Sequence, residues 1–275
     1  MDRGEERRIA TLDPTYKTLS TLHFETFGLG CFLSYNVLSG RLICRAFVQC
    51  RLTQASRLNN MTRIKICGIT RVQDVQAAAS SGADMLGLVL YDQSPRYVTL
   101  PQATQLSAAI PQSVIRVGLF VNASAEAVCE VLQHVPLDVL QFHGEEKPEF
   151  CAQFGRPYWK AIRVKPGVDL LQCAARYRGA QGLLLDAYIE GMHGGTGATF
   201  DWALIPHNLP LPVILSGGLN ADNVAEAIRQ VRPYAVDVSS GVESGGVEAA
   251  KGIKDAAKVA AFIKEVKQID IQLSR

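Results

Sequence analysis

From Arg63 onward, short runs of β-branched and apolar residues alternate with amphipathic stretches, and turn chemistry separates them. Repeated βα units take this sequence form, each strand reading as a compact apolar run and each crossover as a helical stripe. Eight runs are predicted as strands, at 63–66, 85–90, 115–121, 139–142, 158–162, 182–185, 213–216 and 235–238, with a helical stretch after each. Thr70 is placed to cap a helix over 71–81, with Gly82 as its stop. Asn122 or Ser124 precedes a helix over 125–134, and Asn220 or Asp222 one over 224–231. Eight parallel strands with outer helices close a (β/α)8 TIM barrel, for which roughly 200 residues is the compact end of the range. A doubly wound sheet is the alternative, but no G-x-G-x-x-G follows the first run and the glycine-rich turns fall late.

Residues 1–60 show neither sustained helical periodicity nor strand alternation, and hold Cys31, Cys44 and Cys50. They are expected to form a poorly structured N-terminal extension outside the fold, with 61–275 as a single barrel domain. Acids at Asp2, Glu5 and Glu6 argue against a targeting peptide. The reading is therefore an over-extended start upstream of Met61, with a small accessory segment as the alternative.

Composition narrows the partners. A chain of 275 residues with 48% hydrophobic content buries a large core, and a barrel of that length is one domain. A net charge of +2 with both signs interspersed offers no basic patch for nucleic acid or an anionic membrane, leaving a small molecule as the expected partner. Seven cysteines without C-x-x-C pairs or regular Cys/His spacing indicate neither a disulfide framework nor a metal site, and fit reduced thiols in a cytoplasm. The longest apolar candidate, 27–38, is broken by Gly28, Gly30, Ser34 and Asn36, too short and too polar for a membrane span.

Barrel enzymes place their chemistry at the C-terminal ends of the strands. That filter selects Lys65-Ile66-Cys67-Gly68, Ser94-Pro95-Arg96, Gln141-Phe142-His143-Gly144 and Asp186. Three glycine-rich stretches follow, at 194–197, 216–219 and 237–241. Their candidate phosphate-binding residues are Gly195, Gly197, Gly217, Gly218, Ser239, Ser240 and Gly241, since glycine lets backbone amides approach a phosphate closely. Each stretch alone also fits a tight turn; together on one rim they imply a phosphorylated substrate.

Cys67 reads either as a small core filler or as a partly exposed thiolate beside Lys65, able to act as a base. Asp186 is either a turn cap or, at the mouth of an apolar strand, a carboxyl that keeps its proton and serves as an acid. His143 joins the substrate-binding set: a strand-end histidine orients substrate, lines the pocket or merely satisfies backbone groups, and the reading favoured is support of the site from behind. Arg96, in the turn after Ser94-Pro95, is suited to a forked pair with a substrate carboxylate, or is an ordinary surface arginine.

In this order, these residues closely resemble the phosphoribosylanthranilate isomerase family of tryptophan biosynthesis. The resemblance runs from Thr62 to about Val266. It is carried by Lys65-Ile66-Cys67-Gly68-Ile69-Thr70, Gly82-Ala83-Asp84, Ser94-Pro95-Arg96, Gln141-Phe142-His143-Gly144-Glu145, Leu184-Leu185-Asp186, Gly194-Gly195-Thr196-Gly197, Gly217-Gly218-Leu219, Asn223-Val224, 237–243 and Lys254-Asp255. It implies a cofactor-free Amadori rearrangement of N-(5-phosphoribosyl)anthranilate, with Cys67 as general base, Asp186 as general acid and Arg96 on the anthranilate carboxylate. The protein would be a monomer or homodimer. Phe142, Ser216 and a longer 244–252 stretch depart from the family's usual pattern. A histidine-pathway isomerase with a carboxylate at the Cys67 position, and a catalytically silent phosphate-binding barrel, are the rival readings.

Overall fold

The computed structural model describes residues 36–38, 41–43, 61–187, 199–245 and 251–274. The chain divides into two compact units, Met1–Asn59 and Asn60–Arg275. In the first, Asn36–Leu38 and Arg41–Ile43 pair as a short antiparallel hairpin, strand structure that the absence of alternation in this region did not predict.

In the second unit, β1 (Arg63–Cys67), β2 (Met85–Val89), β3 (Ile115–Phe120), β4 (Val139–Phe142), β5 (Tyr158–Val164), β6 (Gly182–Ala187), β7 (Val213–Leu215) and β8 (Ala235–Val238) form a closed barrel. All neighbours are parallel, and β8 returns to β1 in the register Asp237↔Lys65. The helices are α1 (Val72–Ser81), α2 (Leu100–Ala109), α3 (Ala125–His134), α4 (Pro148–Ala152), α5 (Leu170–Arg176), α6 (Val224–Val231) and α7 (Ala256–Leu273).

Between β6 and β7 the described residues hold a three-residue 3₁₀ turn, Trp202–Leu204, in place of the expected helix. Pro206, Pro210 and Pro212 follow it, and proline cannot continue a helical hydrogen-bond ladder. Capping also departs from expectation at one end. Ser124 caps α3, accepting from the Ala127 amide, but Arg71 rather than Thr70 occupies the cap of α1. The Thr70 hydroxyl donates instead to the carbonyl of Gly252 at 2.6 Å. Before α6, the Asn220 side chain accepts from the amides of Asp222 and Asn223.

Strand alternation sorts the core into two layers. Outward-facing residues such as Ile64, Ile66, Leu86, Leu183 and Leu185 pack under the helices, which contribute Val75, Val128, Ile228, Phe262 and Val266. Inward-facing Met85, Val117, Val139, Trp159, Ala161, Leu184, Ile214 and Ala235 form a separate apolar plug. Every strand but β1 contributes to that plug; β1 turns Lys65 inward, fully buried. The last helix is tied to the start of the barrel: Asp270 accepts from the Thr62 amide at 2.6 Å and from its hydroxyl at 2.8 Å. No helix among the described residues is long and apolar enough to cross a membrane.

Candidate active site

On β1, Ile64 and Ile66 face the helices, so Lys65 and Cys67 point into the barrel, both buried. Lys65 Nζ donates to Asp237 Oδ1 at 2.8 Å, and its charge acts on the neighbouring Cys67 thiol. Ser216 Oγ donates to the other Asp237 oxygen at 3.4 Å. The space for this cluster comes from β2, where Gly87 pairs with Cys67. A Cβ at Gly87 would lie 2.9 Å from Cys67 Sγ and 3.1 Å from Lys65 Nζ.

Cys67 is therefore not the partly exposed thiol that its position suggested: it is 5% exposed. Burial pushes its thiol above the ordinary 9.0; the Lys65 ammonium opposes that rise, and the Asp237 carboxylate adds to it. For Lys65, burial alone disfavours the charge, but Asp237 and Cys67 outweigh it and hold the ammonium above its usual range.

Asp186 occupies the equivalent end of β6, 4% exposed. Its Oδ1 accepts from the Ala187 amide at 2.9 Å, and its Oδ2 lies 3.2 Å from His143 Nε2. His143 Nδ1 is 3.0 Å from the Gln141 amide nitrogen. His143 thus stands behind the carboxyl group. Gly217, in the left-handed region at φ +86°, closes the other side, since a Cβ there would lie 2.6 Å from the Ala187 nitrogen and 3.0 Å from Asp186 Oδ1.

The loops after β7 and β8 touch each other. Gly241 packs on the Leu219 carbonyl with no room for a side chain, and Gly218 accepts from the Asn223 amide group at 2.9 Å. Ser239 Oγ donates to the Cys67 carbonyl at 3.1 Å, and Ser240 opens the short turn Ser240–Val242. Gly217, Gly218, Ser239, Ser240 and Gly241 are thus gathered on one rim beside Cys67. Gly195 and Gly197 lie outside the described residues.

Arg96 is buried at 7% exposure, and its stem crosses Gly68, the turn directly after Cys67. Its Nε and Nη2 donate to the two oxygens of Glu243 at 2.7 and 2.9 Å, so the forked pair expected for a ligand is made within the protein. Lys254 Nζ also reaches Glu243, at 2.9 Å, and the Ser239 carbonyl at 3.1 Å. Gly252, at the end of the longer 244–252 stretch, packs against Thr70, Pro95 and Arg96.

The family model for N-(5'-phosphoribosyl)anthranilate (PRA) isomerase matches residues 64–265. The chain belongs to the phosphoribosylanthranilate isomerase family. A Thiobacillus denitrificans N-(5'-phosphoribosyl)anthranilate isomerase is 61% identical over 205 residues, spanning 74% of this chain and 98% of the relative. A Pseudomonas aeruginosa isomerase is 58% identical over 205 residues, with 74% and 95% coverage. Among solved structures, phosphoribosylanthranilate isomerase from Thermotoga maritima superposes with a TM-score of 0.68 at 41% identity, covering 76% of this chain and all of that one. A further structure, of the isomerase in complex with reduced 1-(o-carboxyphenylamino)-1-deoxyribulose 5-phosphate, gives 0.66 at 40% identity, with the same coverage.

In this isomerase scaffold, three groups around the expected pair had been left without a role: Gly87, Asp237 as counter-ion to Lys65, and Glu243 between Arg96 and Lys254. Glycine inside an apolar strand marks a close approach, and was a readable signal for Gly87. Nothing local marks the other two. Burial disfavours the Glu243 carboxylate, but Arg96 and Lys254 more than compensate and hold its pKa below the ordinary 4.5. A depressed carboxylate contributes stability that is complete above its unfolded value and lost as the pH falls through the folded one. Glu243→Gln is therefore expected to lower Tm at neutral pH and to flatten the loss of Tm below pH 4.5, as read by thermal melts across pH. A parallel downward offset at every pH would show that Glu243 does not stabilise through its charge.

Proposed function

We propose that Cys67 and Asp186 carry out an Amadori rearrangement of N-(5-phosphoribosyl)anthranilate to 1-(2-carboxyphenylamino)-1-deoxyribulose 5-phosphate, as general base and general acid respectively. Membership in the family makes the chain an aldose–ketose isomerase of tryptophan biosynthesis. The observation that carries the residue assignment is the inward placement of both groups at C-terminal strand ends, Cys67 against the Lys65 ammonium and Asp186 against the imidazole of His143. Asp186 gives a proton to the furanose ring oxygen, the C1–O bond breaks, and the anthranilate nitrogen supplies electrons to form an iminium. Cys67 takes the C2 proton, and the electrons of that C–H bond become the C1=C2 bond of a neutral enolamine. Loss of the C2 hydroxyl proton and protonation of C1 yield the ketone, so the reaction is isomeric overall.

The rim of Gly217, Gly218, Ser239, Ser240 and Gly241, with Gly195 and Gly197, holds the phosphate in this reading. Arg96, fixed by Glu243, directs its remaining Nη1 edge to the anthranilate carboxylate. Orientation through these contacts supplies the part of the acceleration that acid–base catalysis does not. We place the enzyme in the cytoplasm as a monomer or homodimer, with 61–275 as the complete catalytic unit. Free thiols at Cys67, Cys129, Cys151 and Cys173 support a reducing compartment, and a T. maritima relative is described both as a dimer and as monomers generated from it.

The test is the fluorescence of freshly prepared phosphoribosylanthranilate after addition of the purified full chain, or of a chain starting at Met61. Both are expected to cause an enzyme-proportional decay to a product of unchanged mass. A stable signal with the full chain would refute the reaction, and inactivity of the shorter chain alone would refute the boundary. Sedimentation of the same samples distinguishes monomer and dimer from any higher assembly.

A further inference from the structure

A lysine and a glutamate lie fully inside the protein, in contact with neither Cys67 nor Asp186. Lys160, on β5, faces the layer between strands and helices, where its neighbours Tyr158, Ile162 and Val164 belong to the outer core. Its side chain is 3% exposed and that of Glu146 is 2%. Taking two charges out of water costs several kcal/mol each, and a buried ion pair seldom returns more stability than a well-packed apolar pair. Stability alone is a poor reason for this pair to be here.

The hydrogen bonds show what the pair does. Lys160 Nζ donates to Glu146 Oε2 at 3.1 Å, to the Phe142 carbonyl at 3.3 Å and to the Gly144 carbonyl, using all three of its protons. Glu146 in turn accepts from the Gly144 amide at 2.9 Å and from the Asn122 amide at 2.8 Å. The residue enclosed by these bonds is His143, which rests on Asp186. Its own amide donates to the Phe120 carbonyl at 2.8 Å, at the end of the strand that leads into Asn122. Asn122 adopts the left-handed conformation at φ +49°, and its side chain accepts from the Glu145 amide at 2.7 Å. The Tyr177 hydroxyl donates to the Glu146 carbonyl at 2.8 Å, and the Tyr177 ring centroid lies 5.8 Å from the ammonium. Three strand ends and α5 are thus fastened around one imidazole.

We propose that Lys160 and Glu146 are positioning residues that hold His143, and through it the carboxyl group of Asp186, in the orientation that proton transfer requires. This rests on the reading of Asp186 as the acid supported by His143. The pair fixes the backbone on both sides of His143, so its loss lets the imidazole swing without removing any group that touches substrate. Displacements of about 1 Å at a reacting centre can cost about 100-fold in rate, whereas substrate contacts at the opposite rim are unaffected.

The test is a double-mutant cycle on purified full-length protein, with kcat and KM for phosphoribosylanthranilate and thermal midpoints measured for each variant. Lys160→Met is expected to lower kcat by about 10- to 100-fold with KM within about twofold. Combined with His143→Asn, it is expected to add nothing to the loss from His143→Asn alone, because the two act on one orientation. Multiplicative losses, a rise in KM in place of the fall in kcat, or unchanged kcat would each overturn the proposal. Should Lys160→Met not fold, Glu146→Gln preserves side-chain volume and carries the same cycle. If His143→Asn leaves kcat near normal, the reading of His143 as support for the acid fails and the proposal fails with it. If that single variant is slow but the losses multiply, only the positioning role is lost.

Discussion

Asp186→Asn is expected to lower kcat by about 10²–10⁴-fold, the usual contribution of a positioned acid, while inorganic phosphate still competes for the site with near-normal affinity. Asparagine keeps the shape of the carboxyl group and the contact with the Ala187 amide, so the rim on the loops after β7 and β8 stays in place. It cannot deliver a proton to the ring oxygen. Cys67→Ser belongs to the same prediction, because a hydroxyl in the same buried position is a far weaker base. Steady-state kinetics and phosphate competition decide it; a variant that keeps its kcat removes that residue from the mechanism. The pH profile carries a further signature. Because burial holds the Cys67 thiol above 9.0, the thiolate fraction, and with it kcat/KM, should still be rising as the pH passes through 9.0.

Lys65→Met is expected to be the most damaging single change for stability, at about 3–5 kcal/mol, the typical cost of leaving one member of a buried ion pair alone. Asp237, 5% exposed, would face the emptied position with the Ser216 hydroxyl as its remaining side-chain donor among the described residues. The same change removes the cation that opposes the rise in the Cys67 pKa, so the rising limb of the pH–rate profile should move further into the alkaline range. Adding Asp237→Asn to Lys65→Met should recover much of the Tm, since the orphaned charge is gone. It should also bring the limb part of the way back, because the Asp237 carboxylate itself raises the Cys67 pKa. If Lys65→Met lowers Tm and the limb stays where it was, Lys65 supports the fold and has no electrostatic hold on the base.

The architecture was legible because buried parallel strands write themselves as local patterns. The predicted runs at 139–142 and 235–238 coincide with β4 and β8, and β1 extends one residue past its run to include Cys67. Between β6 and β7, where a helical stretch was expected after the run, the described residues hold only a turn, and Pro206, Pro210 and Pro212 interrupt any helical ladder there. The strand-end positions of Cys67 and Asp186 followed from the apolar runs, but their surroundings did not. Arg96 meets Glu243 from 147 positions away, and that partner is set by how the loops fold over the barrel mouth. A reading confined to one strand end at a time therefore assigned the guanidinium fork to substrate. The burial of Cys67 was missed for a related reason: Gly87, which makes its pocket, lies on the neighbouring strand, and the close approach it signals is tied to Cys67 only once the register Cys67↔Gly87 is known.

The inner apolar plug draws on seven strands and omits β1, whose Lys65 reaches Asp237 across 172 positions of chain. The charge environment of the proposed base is thus completed only when the last strand arrives beside the first. Partially folded or half-length forms of this enzyme, even with β1 and its cysteine correctly formed, would carry a thiol beside a Lys65 whose own counter-ion, Asp237, is missing. Thiol reactivity at Cys67 is consequently a chemical clock for ring closure. Its change during refolding should coincide with the pairing of β8 and not with the gain of helix.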